Sequence, residues 1–358
     1  MGGSSSKPKP KPAPAAKAAP PAAPKKPALL DSAVATTQVA TRTDPGSGAD
    51  DEDNQDAVHL SESGGVHVVA LFDGHGDDGK AVADACAAAV LGCGVGKLKA
   101  SGDAEAIAGC FQALHTGVCA EKGVDASESG ASATVVVYDS NERAVLVGNA
   151  GDSKAVIGRG ASGATGDGGP RRPAPMVLTS DHYPKVPAEK ARIEAAGGRV
   201  HATDDVQLGA PPPPPPLPSA RARARRDARR ATPAHRPPPR PSLSGELGDM
   251  RVWKPGPGGE KLGLHLSRTV GDAIATEVGV TSEPAATKVA LEAGDRCLIV
   301  ASSGVWKVFS PADAVEVVLQ HGDADAAAEA IVVEARKRWD ELWQGANTTV
   351  AVVVFASP

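Results

Sequence analysis

The residues best equipped for chemistry lie together in Val68-Val-Ala-Leu-Phe-Asp-Gly-His-Gly76, where a carboxylate (Asp73) and an imidazole (His75) follow five apolar residues. Val68 to Phe72 have strand character, and the two glycines free the backbone for a tight turn. A strand ending this way delivers both groups to the rim of a sheet. There the carboxylate can be held against a divalent cation, while the histidine passes a proton at neutral pH. Taken alone, the tetrapeptide reads equally well as a polar turn, because Asp-Gly is common hairpin punctuation.

Two more aspartates sit in comparable settings. Asp152 lies in Gly148-Asn-Ala-Gly-Asp-Ser153, directly after a β-branched run, and Asp272 closes Leu264-His-Leu-Ser-Arg-Thr-Val-Gly-Asp272. A fourth, Asp56, ends an acid-rich stretch from Ser47. Acid runs are usually solvated loops. This one lies one hairpin-length ahead of the Val68 strand, which would bring Asp56 beside Asp73.

The elements that must position these groups follow from periodicity. Lys80 to Leu91 and Asp103 to Glu121 read as helices, the second with Ile107, Phe111, Leu114 and Val118 on one face, and both as packing elements without a chemical role. Ala133 to Tyr138 and Ala144 to Ala150 form a hairpin across Asp139-Ser-Asn-Glu-Arg143, and a short strand follows from Lys154 to Ile157. Ala188 to Ala196 is a helix closed by Gly197-Gly198. Cys297 to Ala301 is a buried-type strand, Ala312 to Gln320 and Asp323 to Trp343 are helices, and Thr348 to Phe355 is a closing strand.

The 358 residues carry a formal charge of −5, but unevenly. Residues 1–28 hold six lysines and no acid, and 210–242 open with six prolines and hold eight arginines against Asp227. Neither block can pack a core, so both are expected to be disordered, leaving 29–209 and 243–358 as one domain. The remainder is far more acidic than the total. An acidic core suits a protein that concentrates cations and does not suit a specific nucleic-acid groove. The five cysteines contain no Cys-x-x-Cys pair, which points to buried free thiols in a reducing, cytoplasmic setting. No apolar run reads as long enough to span a membrane and no signal-peptide core follows Met1. Met1-Gly-Gly-Ser-Ser-Ser6 fits N-myristoylation at Gly2, with Lys7, Lys9, Lys11 and Lys17 as a second, electrostatic membrane signal. The other reading of this tail is a solvated linker.

Five segments, in order, resemble the metal-dependent protein phosphatases of type 2C (PPM). They are Asn54-Gln55-Asp56, Phe72-Asp-Gly-His-Gly76, Gly148-Asn-Ala-Gly-Asp-Ser153, Leu178-Thr-Ser-Asp-His182 with Glu189, Arg192-Ile193 and Gly197-Gly198, and Leu266-Ser-Arg-Thr-Val-Gly-Asp272. The resemblance covers roughly Asp51 to Phe355. It implies an α+β fold, a β-sandwich of two antiparallel sheets flanked by antiparallel helix pairs, with the site in a cleft at one end. It also implies a monomer acting on phosphoserine and phosphothreonine proteins through two Mn²⁺ or Mg²⁺ ions and a metal-activated hydroxide. By the same resemblance Asp73 bridges the metals, the Gly74 carbonyl helps hold one, Asp56 orients a metal water, His75 protonates the leaving alkoxide, and Asp152 marks a weaker third metal.

The chain departs from that pattern where metals are held. Ser303 and Ala346 stand where the family has acids, Gln55 where many members have glutamate, Asp51 where an arginine grips phosphate, and Lys307 where an acid faces the third metal. Such a site is too poor in carboxylate to neutralise two divalent ions. One expectation is a single ion at Asp73, with the Lys307 ammonium beside Asp152 as a substitute charge. The other is a Lys307 pointing to solvent in a decayed site. Functionally these correspond to a phosphatase of reduced activity and to a pseudophosphatase that docks a kinase or receptor. A membrane-attached adaptor is a third reading. The Pro/Arg block reads either as a polyproline II ligand for an SH3-type partner or as untranslated sequence carried into a gene model.

Overall fold

The structure is a computed structural model describing residues 36–46, 54–98, 100, 104–160, 174–202, 250–257, 259–342 and 345–356. Gly2, the Lys-rich tail, Asp51 and the Pro/Arg block lie outside these residues. The fold is α+β, built on two antiparallel sheets. The first has the order β12-β5-β4-β3-β2, comprising β2 (Asp56–Ser63), β3 (Val66–His75), β4 (Gly130–Asp139), β5 (Ala144–Ala150) and β12 (Ala285–Ala290). The short β11 (Val270–Gly271) adds beside β4. The second has the order β1-β14-β13-β6-β7, comprising β1 (Gln38–Asp44), β6 (Lys154–Arg159), β7 (Ala174–Val177), β13 (Asp295–Ala301) and β14 (Thr348–Val354).

The central strands are apolar on both faces because both faces are covered. Val69, Leu71, Val136, Val145 and Val147 point inward and meet Ala155, Ile157, Leu298, Val300 and Val353 of the other sheet. Their neighbours Val68, Ala70, Phe72, Val135 and Val137 point outward onto α1 (Gly79–Ala89) and α2 (Ala104–Ala120), where Val82, Cys86, Ile107, Phe111 and Leu114 receive them. On the other flank Ile299, Val350 and Val352 pack on α6 (Pro311–His321) and α7 (Ala324–Glu341) through Val315, Val318 and Ile331. Each such side chain contributes roughly 1.5–3 kcal/mol when fully buried. The continuous Val-rich runs are therefore the signature of a sandwich between helix layers, and alternation is not expected. Ser310 and Asp323 start α6 and α7 by accepting the Asp313 and Ala326 amides.

A third, small sheet stands apart from the sandwich. It comprises β8 (Arg199–Ala202), β9 (Met250–Gly256) and β10 (Gly259–Leu264), and with α3 (Pro187–Ala195) and the short α4 (Ala273–Thr276) it closes over Ile193, Val200, Val252, Val278 and Val280. Neither this sheet nor β1 and β12 is evident from periodicity. Their strands are short, and β8 to β10 carry Arg199, His201, Pro255 and several glycines. Ala202 and Met250 are cross-strand partners, so the chain leaves and re-enters this sheet at one pair of neighbouring positions.

Three sequence expectations need correction. Of the cysteines, only Cys86, Cys110 and Cys297 are buried; Cys93 is half-buried at the edge of the core beside Cys110, and Cys119 is exposed near the end of α2. One stretch, Gly79–Lys97, is long and apolar enough to span a membrane by length and composition. It is broken at Gly94 (φ 80°), where short 3₁₀ turns replace the helix, and Val82, Ala83, Cys86 and Val90 face the sheet. The third correction concerns Asp73 and is described with the site.

Candidate active site

β3 does not stop at Phe72. It continues through Asp73, Gly74 and His75, which pair with Ser132, Ala131 and Gly130 of β4, and the turn begins at Gly76 (φ 87°). The ladder thus fixes Asp73 and His75 on one face, two residues apart. Gly74 serves close approach: a Cβ there would lie 2.6 Å from the Gln55 carbonyl oxygen and closer still to that of Gly79. Gly74 N–H donates to that Gln55 carbonyl at 3.2 Å.

On β2, Asp56 is the direct cross-strand partner of Asp73. The start of β2 is tied to the start of β14. The Asn347 Oδ1 accepts the Gln55 amide at 3.0 Å, and Asn54 Nδ2 donates to Thr43 Oγ1, which lies 2.7 Å from Thr349 Oγ1. Asp56 is buried, and neither carboxylate oxygen makes a well-formed hydrogen bond among the described residues, although the side chains of Thr349 and Ser302 lie near enough to favour its charged form weakly. Burial first, and then the adjacent Asp73 charge, push its pKa well above the ordinary carboxylate range. Asp73 in turn accepts the Ser303 amide at 2.8 Å on Oδ2.

His75 Nε2 lies 2.7 Å from Asp272 Oδ2. Burial would lower the pKa of this imidazole, but Asp272, with help from Asp73 and Asp152, raises it above its usual value. Asp272 is itself buried, with φ 49°, and its amide donates to the Ser129 carbonyl at 2.8 Å. Sequence reasoning singled out this Gly-Asp without giving it a role. The pairing spans 197 residues, and only the fold supplies it.

Asp152 occupies the turn after β5, its amide on Ser132 Oγ at 3.1 Å and its Oδ2 accepting the Tyr183 hydroxyl at 3.1 Å. Burial and then Asp73 raise its pKa, while Lys307 and His265 oppose the rise. The Asp73 charge therefore acts on Asp56, Asp152 and His75 alike, which places the four near one another. Lys307, just past α5 (Ser303–Trp306), is exposed, with Nζ 3.4 Å from Ser303 Oγ. It makes no ion pair with Asp152 among the described residues, although its charge reaches both Asp152 and His265. His265 is a residue that sequence reasoning passed over: its ring stands edge-on to His75, centroids 6.1 Å apart.

The remaining motif residues serve the frame. His182 Nδ1 accepts the Gly151 amide at 3.2 Å and so holds the Asp152 turn; burial, then Arg268, pulls its pKa down to about 4, so it is neutral near pH 7. Burial would raise Glu189, but Arg268 and Arg192, bonded to it at 2.7 and 2.8 Å, bring it down to about 2.

Among the described residues no group of three or more His, Cys, Asp or Glu is arranged to hold a metal ion. The Asp56–Asp73 pair nevertheless has the character of a cation site: two adjacent carboxylates, one with both oxygens buried and unpartnered, which a single divalent ion would neutralise. A second ion does not fit. The Ser303 side chain is a neutral hydroxyl, its amide already occupies an oxygen of Asp73, and the Ala346 side chain has no donor atom.

The family model described as Protein phosphatase 2C matches residues 46–340. The Oryza sativa subsp. japonica protein named "Probable protein phosphatase 2C 48" is 30% identical over 220 residues, 62% of this chain and 49% of that protein. The Arabidopsis thaliana protein named "Probable protein phosphatase 2C 61" is 29% identical over 296 residues, covering 80% of this chain and 74% of that one. This chain spans about half the length of several relatives that it matches. A solved structure of serine-threonine phosphatase 2C from Toxoplasma gondii shares the fold with a TM-score of 0.60, at 21% identity, over 92% of this chain and 98% of that one.

Proposed function

Because the chain belongs to the protein phosphatase 2C family, we propose that it hydrolyses phosphoserine and phosphothreonine monoesters with one Mn²⁺ or Mg²⁺ ion, at a rate below that of a binuclear site. The observation that carries this reading is the buried, unpartnered carboxylate of Asp56 set against Asp73. These two, with the Gly74 carbonyl, are the residues that would hold the ion. When bound, it would supply Lewis acidity, acidifying water and drawing charge from the phosphoryl group.

The rest of the work falls to the chain. Asp272 fixes His75 through Nε2 and keeps it protonated more than an isolated imidazole, which leaves Nδ1 to deliver a proton to the departing serine or threonine alkoxide. Asp56 orients the attacking water. Lys307 takes the place of a further cation's charge beside Asp152, and the Tyr183 hydroxyl holds that carboxylate in position. Loss of acids at Ser303 and Ala346 removes the second ion and with it part of the transition-state stabilisation.

The same two positions favour a second reading, a pseudophosphatase that keeps the cleft to dock a signalling partner such as a kinase. Mn²⁺-dependent release of phosphate from a phosphothreonine peptide separates the two, comparing the wild type with Ser303→Asp/Ala346→Asp. Measurable wild-type turnover that rises modestly in the double variant supports the phosphatase. No wild-type turnover with a large gain in the variant supports the docking module.

A further inference from the structure

His265 stands 6.1 Å from His75, ring centroid to ring centroid, and Lys307 reaches Ser303, whose amide donates to Asp73 at 2.8 Å, so both lie beside the Asp73–His75 strand end, where His75 is committed to Asp272. The other two are not so committed. His265 has no hydrogen bond among the described residues. The one bond of Lys307 there is to Ser303 Oγ at 3.4 Å, leaving ammonium protons for a ligand.

The chain distorts itself to bring His265 here. β10 loses register with β9 between Leu262 and Leu264, and Leu262 and Gly263 both stand at φ 85°. A left-handed leucine is rare and strained. Bulges of this kind re-aim side chains beside functional sites. Here the bulge precedes His265 by one residue and sets its ring against His75 at an interplanar angle of 71°.

We propose that His265 and Lys307 form a phosphate-holding pair, gripping the phosphoryl oxygens of a phosphoserine or phosphothreonine peptide through protein donors on the side of the cleft where a second metal does not fit. The proposal rests on reading the cleft as a phosphomonoester site, but it does not require that the ester be hydrolysed. An ammonium and an imidazole N–H borne on separate elements match a tetrahedral anion, and charge-assisted bonds to phosphate are the strong ones. Lys307 arises just past the end of β13 and His265 just past β10, so the two approach the ligand from different sheets.

The test is binding of inorganic phosphate to the full chain by calorimetry, once in excess chelator and once with saturating Mn²⁺. His265→Leu and Lys307→Met should each weaken binding about tenfold under both conditions. Lys307→Arg should keep it within about twofold, because a guanidinium preserves the charge. His265→Gln, which retains an N–H donor, should fall between, and thermal unfolding of every variant checks that the fold persists. Phosphate affinity within about twofold of wild type in both His265→Leu and Lys307→Met would overturn the pair, as would a wild type that binds phosphate only with Mn²⁺. A chain that fails to hydrolyse phosphopeptides but loses phosphate affinity in these variants refutes catalysis and supports the pair. Hydrolysis with unaltered affinities does the reverse.

Discussion

Glu189 and Asp56 are both buried carboxylates, and the fold treats them in opposite ways. Glu189 is clasped by Arg268 and Arg192 and held down at about 2, whereas Asp56 makes no well-formed hydrogen bond among the described residues, has only the Thr349 and Ser302 side chains nearby, and faces another acid. The first arrangement ties α3 to the Ser267–Arg268 segment, since Arg192 also donates to the Ser267 carbonyl at 2.7 Å. The second stabilises nothing as it stands. Buried charges are normally satisfied, so a fold that retains an unsatisfied one beside a like charge has kept it for a ligand. The arginine-clasped carboxylate belongs to the scaffold, and the acid facing another acid is the one fitted to a cation.

The sharpest way to break this contrast is to remove each carboxylate. Glu189→Ala leaves two arginines without their counter-charge and should cost about 3 kcal/mol in urea unfolding. A loss under about 1 kcal/mol would show that the clasp is ornamental. Asp56→Asn should do the opposite in metal-free protein, stabilising it by about 1–2 kcal/mol through relief of desolvation and repulsion, while abolishing Mn²⁺ binding. Destabilisation in chelator would mean that Asp56 has a structural partner after all.

Acid sharpens the comparison, because the two shifts have opposite sign. The pKa of Glu189 is lowered on folding from its ordinary 4.5, so its contribution is present above that value and is lost as pH falls toward about 2. That of Asp56 is raised from 3.8, so the folded state binds its proton more tightly; the benefit is full below 3.8 and is lost as pH rises through the elevated folded value. In chelator, the gain from Asp56→Asn should therefore vanish near pH 3.5 and grow toward neutrality. A gain that is flat with pH would remove the ionic explanation. The smallest effect is expected away from the cleft. Replacing residues 203–249 with a two-residue Asn-Gly turn joins Ala202 to Met250, which are already cross-strand partners, and should change stability by no more than about 1 kcal/mol. A larger loss would show that the excised residues support the small sheet.

Much of this was legible in the sequence. The Val68–Phe72 apolar run, the Asp139–Arg143 turn and the helices near 80, 104, 188, 312 and 324 carry strong local signals, and the hairpin distance from Asp56 to the Val68 strand implied their proximity. Asp73 to Gly76 read as a turn because two glycines suggest one, whereas β4 extends to Gly130 and holds the segment in register. The strands β8 to β10 escaped notice because they are short and mixed, and their pairing is decided by the core they share with α3. His265 escaped for a related reason: nothing local distinguishes it, and its direction is set by a bulge and by a histidine 190 residues earlier. Lys307 was visible only as a departure from the family's pattern, since a single lysine after a short helix has no periodic signature.

The account depends on one cation belonging between Asp56 and Asp73 and none belonging where Ser303, Ala346 and Lys307 stand. Titrating the metal-free chain with Mn²⁺ by calorimetry tests this directly. One ion per chain, lost in Asp56→Asn and rising to two in Ser303→Asp/Ala346→Asp, is the predicted result. Two tight ions in the wild type, or none, would contradict it.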